Sequence, residues 1–82
     1  MSARWTPDGK IVTQSMATGN VDIWIMQADG NLQKQLTTNS ESDASPTVSP
    51  DGRYIAFESL RSGYEHIWRM DSNGDNVVQL TT

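Results

Sequence analysis

The 82-residue sequence contains no cysteine, and none of its hydrophobic runs is long enough to cross a membrane. The first absence excludes disulfide bridges and cysteine-based zinc sites, and the second excludes a membrane-spanning helix. Basic residues are also few, since six Lys and Arg stand against ten Asp and Glu, for a formal net charge of −4. Nucleic-acid binding requires a clustered basic face, so we expect no nucleic-acid partner and no insertion into a membrane.

The sequence also contains few candidates for catalytic residues. His66 is the only histidine, and no serine lies in a Gly-x-Ser-x-Gly motif. Segment 71–75 presents oxygen ligands at alternate positions, as a calcium loop does, but its glycine comes too early and Thr82 stands where a bidentate Glu belongs. A hairpin turn is the simpler interpretation of that segment. We expect no catalytic residue, no cofactor and no bound metal.

The chain does contain a repeat. Residues 5–10, 22–26 and 35–38 are echoed by residues 48–53, 66–70 and 79–82, with an offset of 43 that becomes 44 once Tyr54 has added one residue to the second copy. A fixed period of this size is typical of repeat architectures built from one supersecondary unit.

Turn signals divide each copy into short segments. The predicted turn residues are Pro7, Asp8 and Gly9 with Pro50, Asp51 and Gly52, and then Asp29 and Gly30 with Asn73 and Gly74. Asp-Gly and Asn-Gly are strong signals for a two-residue hairpin. The segments between the turns are rich in strand-forming Ile, Val, Thr, Trp and Tyr. They predict strands at 3–6, 10–16, 21–27, 32–37, 46–49, 53–60, 65–71 and 76–81.

The predicted fold is therefore all-β, with two four-stranded antiparallel meanders. We place the first unit at residues 1–38, an exposed polar connection at 39–46 and the second unit at 47–82. We expect the charges of Glu41, Asp43 and Glu65 to lie in solvated loops or at strand ends.

Apolar residues occur on both faces of the third strand of the first copy. Ile23 and Ile25 alternate with Trp24 and Met26, whereas a sheet with one wet face alternates apolar with polar residues. Such a sheet must be covered on both sides, as the radially stacked blades of a propeller are. The residues predicted to pack blades together or to support assembly are Trp5, Ile23, Trp24, Met26, Phe57, Ile67, Trp68 and Met70. Alternatively, Trp5, Trp24 and Trp68 form an aromatic platform that binds a ligand instead of packing between blades.

These motifs resemble a known family. Ser49-Pro50-Asp51-Gly52-Arg53-Tyr54-Ile55-Ala56-Phe57, then His66-Ile67-Trp68-Arg69-Met70-Asp71, Asn73-Gly74 and Gln79-Leu80-Thr81 resemble the repeat of TolB-type β-propellers, whose blades carry a WD-like Pro-Asp-Gly turn. The resemblance implies a ring of about six blades around a central channel. It also implies a non-catalytic interaction or sensing role in the bacterial periplasm or cell envelope, or a propeller beside a peptidase domain. The first four residues do not open a signal peptide.

Two blades are too few to close a ring, which needs four to eight. We therefore expect head-to-tail association of the chain with copies of itself, since heterologous contacts close into rings when the rotation allows. By analogy with six-bladed relatives, a homotrimer completing six blades is favoured over a tetramer completing eight. The alternatives are a propeller that binds an unidentified protein, peptide or small ligand in its channel, and the accessory propeller of a larger envelope protein or peptidase. A two-blade piece, excised or engineered from a longer protein, would also explain the sequence.

Overall fold

The structure is a computed structural model that describes residues 3–38 and 41–82, apart from the side chains of Leu32 and Gln33. Its strands are β1 (Ala3–Trp5), β2 (Ile11–Ser15), β3 (Asp22–Met26), β4 (Leu32–Gln35), β5 (Asp43–Val48), β6 (Tyr54–Ser59), β7 (His66–Asp71) and β8 (Val78–Gln79). They form two four-stranded antiparallel sheets in the orders β1-β2-β3-β4 and β5-β6-β7-β8. The predicted all-β fold of two meanders is confirmed. We call the first sheet blade 1 and the second blade 2.

The Asp-Gly and Asn-Gly hairpins differ from the two-residue turns that the sequence predicts. The N–H of Gly30 donates to the carbonyl of Gln27 (2.9 Å), and that of Gln27 donates to the carbonyl of Asn31 (3.0 Å), so the loop contains Ala28, Asp29 and Gly30. A two-residue type I′ turn needs positive φ at both central residues. Here Gly30 has a φ of 92°, whereas the only non-glycine residues of the described chain with positive φ are Ser45 and Asn76. The loop is therefore a three-residue one that ends in a left-handed glycine, and Gly74 closes the same arrangement in blade 2.

The two blades pack against each other through one face of each sheet. Pairing of Val12 with Ile25 puts these side chains on one face of blade 1, and pairing of Phe57 with Trp68 does the same for one face of blade 2. The buried core between the two faces consists of Val12, Ile23, Leu36, Ile55, Phe57 and Met70, with Ile25, Val48 and Trp68 packed against it. The hydrophobic core of this small chain is thus the contact between its two repeats.

Strand β5 begins earlier than predicted. Segment 39–46 was expected to be an exposed connection, but β5 starts at Asp43 and Pro46 is fully buried; residues 39 and 40 lie outside the described residues. The register of β5 shifts between Ala44 and Thr47, and Ser45 has a φ of 54°. A bulge is one of the few places where a strand tolerates proline. The polar segment 43–46 is therefore part of the bulged strand β5. Its Ser45 N–H donates to Gln14 Oε1 of blade 1 (2.9 Å).

Candidate functional site

The contact between the blades uses two different sheet faces, which we name by direction. The backward face of blade 2 carries Val48, Ile55, Phe57, Trp68 and Met70 and packs on blade 1. The forward face of blade 1 carries Val12, Ile23, Ile25, Lys34 and Leu36 and receives blade 2. Each blade therefore offers a backward face to the preceding blade and a forward face to the following one.

The repeat places the equivalent positions on the two remaining faces. The backward face of blade 1 carries Trp5, Ile11, Trp24 and Met26, and the forward face of blade 2 carries Ala56, Ile67, Arg69, Val78 and Leu80. Within the described residues, no further strand covers either face. Trp5 is 65% exposed and Leu80 is 50% exposed, whereas Leu36, the equivalent of Leu80, is 8% exposed. The described residues thus leave uncovered two largely apolar faces, one forward and one backward, the two kinds that meet in the core.

Two hairpin turns of blade 2 also approach blade 1 closely. A Cβ atom at Gly74 would lie 3.0 Å from the carbonyl oxygen of Leu36, and one at Gly52 would lie 3.0 Å from Pro7 Cδ. The equivalent glycines of blade 1, Gly30 and Gly9, have nothing within 4 Å of such an atom. Glycine at 52 and 74 therefore serves the blade contact as well as the turn.

A polar framework recurs at the same position in each blade. The Thr37 hydroxyl accepts the N–H of Ile23 (3.0 Å), and the Thr81 hydroxyl accepts the N–H of Ile67 (2.9 Å). In blade 1 the framework extends to Asp22, whose carboxylate accepts hydrogen bonds from Gln35 Nε2 (2.9 Å) and the Thr37 hydroxyl (3.3 Å). Blade 2 has His66 there, with Nδ1 3.1 Å from Thr81 Oγ1.

Burial raises the pKa of the Asp22 carboxyl, and the nearby Asp43 raises it further, although its hydrogen bonds, chiefly that from Thr37, oppose the change. His66 takes the position of Asp22 beside the equivalent threonine, but it is half-buried where Asp22 is buried.

Glu41 and Glu65 are exposed as expected, and Asp43 lies at a strand end as expected but is buried instead of solvated. Asp43 is fully buried at the start of β5, where one carboxylate oxygen lies 3.2 Å from Arg61 Nη2. The Arg61 guanidinium also lies over the rings of Phe57 and Trp68, at 5.3 and 5.1 Å from their centroids. Arg61 replaces Ala17 of the first copy, and this departure from the repeat is the signal that could have indicated a buried partner.

A cleft of about 440 Å³ separates the blades at the end where the Pro-Asp-Gly turns lie. Its apolar walls are Val12, Ile25 and Leu36 of blade 1 and Val48 and Ile55 of blade 2. Its charged rim includes Lys10, Lys34, Asp8 and Asp51, and Lys34 Nζ donates to the carbonyl of Asn73 (3.2 Å).

The predicted turn residues lie in the hairpins, with Asp8 and Asp51 accepting hydrogen bonds from the Thr6 and Ser49 hydroxyls. These bonds are the main reason that the pKa of each of the two carboxyls is lowered. Ile23, Phe57 and Met70 are buried in the core and Trp68 packs against it, while Trp24 and Met26 are half-buried on the backward face of blade 1. Trp5 and Ile67 are exposed on the two uncovered faces.

Neither a metal centre nor a membrane span emerges from the described ranges. No group of three His, Asp or Glu residues in 3–38 and 41–82 could hold a metal ion. The same residues include no helix long and apolar enough to cross a bilayer.

Comparisons with known proteins agree with this blade geometry. A family model described as a TolB beta propeller domain matches residues 1–82. This chain belongs to the TolB beta-propeller family. It is 38% identical over 78 residues to the uncharacterized protein Atu1656 of Agrobacterium fabrum, and 34% identical over 67 residues to a TolB homolog of Chlorobium luteolum. Those matches cover 94% and 82% of this chain but only 27% and 15% of the relatives, so the chain spans less than a third of their length.

Solved structures of the TolB family superimpose on at least 99% of the chain. A TolB-like structure from Agrobacterium tumefaciens has a TM-score of 0.85 and 30% sequence identity over 100% of this chain and 31% of its own. TolB from Acinetobacter baumannii has a TM-score of 0.82 and 27% identity, covering 99% of this chain and 21% of its own. The two sheets therefore have the relative placement of adjacent blades in larger propellers, which confirms the resemblance drawn from the sequence.

Proposed function

We propose that the chain is a non-catalytic propeller module that completes its ring by head-to-tail association with copies of itself, as a scaffold for protein interaction. The observation that carries the proposal is which two faces are left uncovered: the backward face of blade 1 and the forward face of blade 2. They are the repeat equivalents of the faces that pack inside the chain, so the forward face of one copy is complementary in kind to the backward face of the next.

The exposed apolar surface supports the proposal energetically. Trp5, Met16, Leu60, Tyr64, Ile67, Val77, Val78 and Leu80 are large hydrophobic side chains left exposed, and four of them, Trp5, Ile67, Val78 and Leu80, lie on the two faces. Burial of apolar surface stabilises association by about 25 cal/mol per Å², and soluble monomers avoid large contiguous apolar patches. In a closed ring, the preceding copy and the following copy would each cover one of the two faces, with the relative placement of blades already seen inside the chain.

The turns of blade 1 support the same geometry. In the ring, Gly30 of one copy would meet the carbonyl of Leu80 in the preceding copy, as Gly74 meets that of Leu36 inside the chain. The space left open around Gly9 and Gly30 in the single chain is therefore the space that a preceding blade would fill.

Three chains are favoured over four. The chain covers 31% of the TolB-like Agrobacterium tumefaciens structure, so three copies are close to the length of that protein. A closed ring leaves no apolar sheet face uncovered, whereas a dimer or an open trimer leaves two.

Native mass spectrometry and light scattering test the proposal. The expected result is a particle of three times the 9.1 kDa chain mass, which dissociates on dilution and does not grow into longer assemblies. A folded monomer at all concentrations would overturn the proposal and favour the accessory role, in which blades of a longer polypeptide cover the two faces. A tetramer would keep the module but change the ring to eight blades.

A further inference from the structure

The contact inside the chain and the contact proposed between chains do not use the same side chains. In blade 1, Ile25 and Lys34 are cross-strand partners on the forward face. In blade 2 the equivalent partners are Arg69 and Val78. The apolar residue and the cation have exchanged strands, so the cation of blade 2 lies on the third strand instead of the fourth.

The backward face, which would pack on these residues, also differs between the two blades. Inside the chain, Val48 and Ile25 line opposite walls of the cleft between the blades. The repeat equivalent of Val48 is Trp5. Blade 1 therefore has the largest side chain at the position where blade 2 has a small aliphatic one. At the junction between two copies, the positions equivalent to Val48 and Ile25 are therefore Trp5 of one copy and Arg69 of the other.

We propose that Trp5 of one copy and Arg69 of the next form a cation–π contact across the chain–chain junction, and that this contact makes the junction chemically distinct from the contact inside the chain. The inference rests on the proposed head-to-tail ring and names the residues that select a second copy as the partner.

The size of the cleft permits such a contact. Val48 and Ile25 both line the cleft of about 440 Å³ at the Pro-Asp-Gly end of the blade contact, so the equivalent place at the junction has room for longer side chains. Trp and Arg are both longer than the pair they replace, and a guanidinium within about 6 Å of an indole face is attracted to it. Ala56, in place of the buried Val12, leaves additional room beside the larger indole.

Arg69 already lies over one aromatic ring of its own blade. Its guanidinium lies 4.9 Å from the centroid of the Tyr54 ring on the same face, and Arg53 lies 5.5 Å from that ring. An indole arriving on the other side of the Arg69 plane would complete a stack of two rings around one cation. Since the planar guanidinium loses less freedom on binding than a lysine ammonium would, this arrangement favours Arg at the junction.

Charge complementarity at the turns is the same at both contacts. Inside the chain, Lys10 of blade 1 and Asp51 of blade 2 line one cleft. At the proposed junction the equivalents are Arg53 of one copy and Asp8 of the next. The pairing of a cation with an acidic turn is therefore retained in both repeats. Only the Ile25–Lys34 pair differs, since Arg69 and Val78 take its place in blade 2.

A double-mutant cycle on the association constant tests the pair. Wild type, Trp5→Val, Arg69→Ile and the double variant are compared by sedimentation velocity over a dilution series, with circular dichroism at low concentration to check folding. Trp5→Val is expected to weaken association about tenfold or more through lost apolar contact. The coupling between the two sites is expected to be about 2- to 30-fold, the range of cation–π contacts. Equal effects of Arg69→Ile with Trp or Val at position 5 would overturn the inference.

A reconstruction variant supplies the second measurement. Trp5→Val, Arg69→Ile and Val78→Lys together install at the junction the residues found inside the chain. This triple variant is expected to recover most of the association that Trp5→Val loses, and no recovery would also contradict the inference. Tyr64→Ala, an exposed aromatic on the turn between β6 and β7, is the matched control and should leave association unchanged.

The wild-type result separates the two proposals. A monomeric wild type would remove the ring and the contact together. A ring whose variants show no coupling would remove only the Trp5–Arg69 contact.

Discussion

Ile23 and Ile67 hold the same position in two copies of one repeat, yet Ile23 is fully buried and Ile67 is 38% exposed. Both lie on the forward faces of their blades, and both donate their N–H to an equivalent threonine hydroxyl. The local structure is therefore the same, and the difference is the blade that follows. The comparison teaches that burial in this fold is a property of the contact between neighbouring blades and not of the repeat itself.

The Arg61–Asp43 ion pair is expected to give the largest effect on stability. It is specific to blade 2, because blade 1 has Ala17 at the position of Arg61. Arg61→Ala should lower the free energy of unfolding by about 3–5 kcal/mol, since it leaves the buried Asp43 carboxylate without its cation. Urea denaturation at neutral pH measures the effect. Asp43→Asn in the Arg61→Ala background should recover part of the loss, and a double variant as unstable as the single one would show that Asp43 is not the cause.

The isoleucine pair is the next test and uses one substitution at two equivalent sites. Ile23→Ala should cost about 2–5 kcal/mol, as expected for a fully buried aliphatic side chain. Ile67→Ala should cost much less in the dissociated chain, because its side chain is already partly in water. Urea denaturation at a concentration below that of association gives both values. Equal losses would show that Ile67 is covered within the single chain.

The turn glycines allow a finer comparison. Gly30 and Gly74 have φ values of 92° and 95°, so alanine at either position costs about 1–2 kcal/mol in left-handed strain. Gly74→Ala should cost more, since its Cβ would meet the Leu36 carbonyl at 3.0 Å while that of Gly30 meets nothing. The difference in thermal stability between the two variants measures the close approach alone. A smaller loss in Gly74→Ala than in Gly30→Ala would contradict the close approach of Gly74 to the Leu36 carbonyl.

The smallest expected effect concerns Asp22, which blade 2 replaces with His66. The folded-state pKa of Asp22 is raised, so its contribution to stability is fully present below its unfolded pKa and is lost as the pH rises through the folded one. Relative to Asp22→Asn, the wild type should therefore gain stability as the pH falls from about 6 to 3. Chemical denaturation of both proteins across this range gives the difference, and a constant or opposite trend would argue against the raised pKa.

The sequence was sufficient for most of the fold because the relevant signals are local. The glycine of each turn, the alternation along β3 and the period of the repeat each depend on neighbours within a few residues. The turn type was harder to predict, because the local signals allow two outcomes. Asp29 and Asn73 could have adopted positive φ, but each instead accepts the N–H two residues later (3.0 Å in both cases). The two-residue prediction was wrong for that reason.

The sequence therefore determined that this chain contains two β-blades with apolar residues on both faces of each. Only the tertiary structure decided which faces are covered, that β5 begins at Asp43 with a bulge, and that this acid is buried against Arg61. The physical reason is that strands and turns arise from short-range backbone preferences. Burial and ion pairing arise where blade 2 meets blade 1, between residues far apart in the chain.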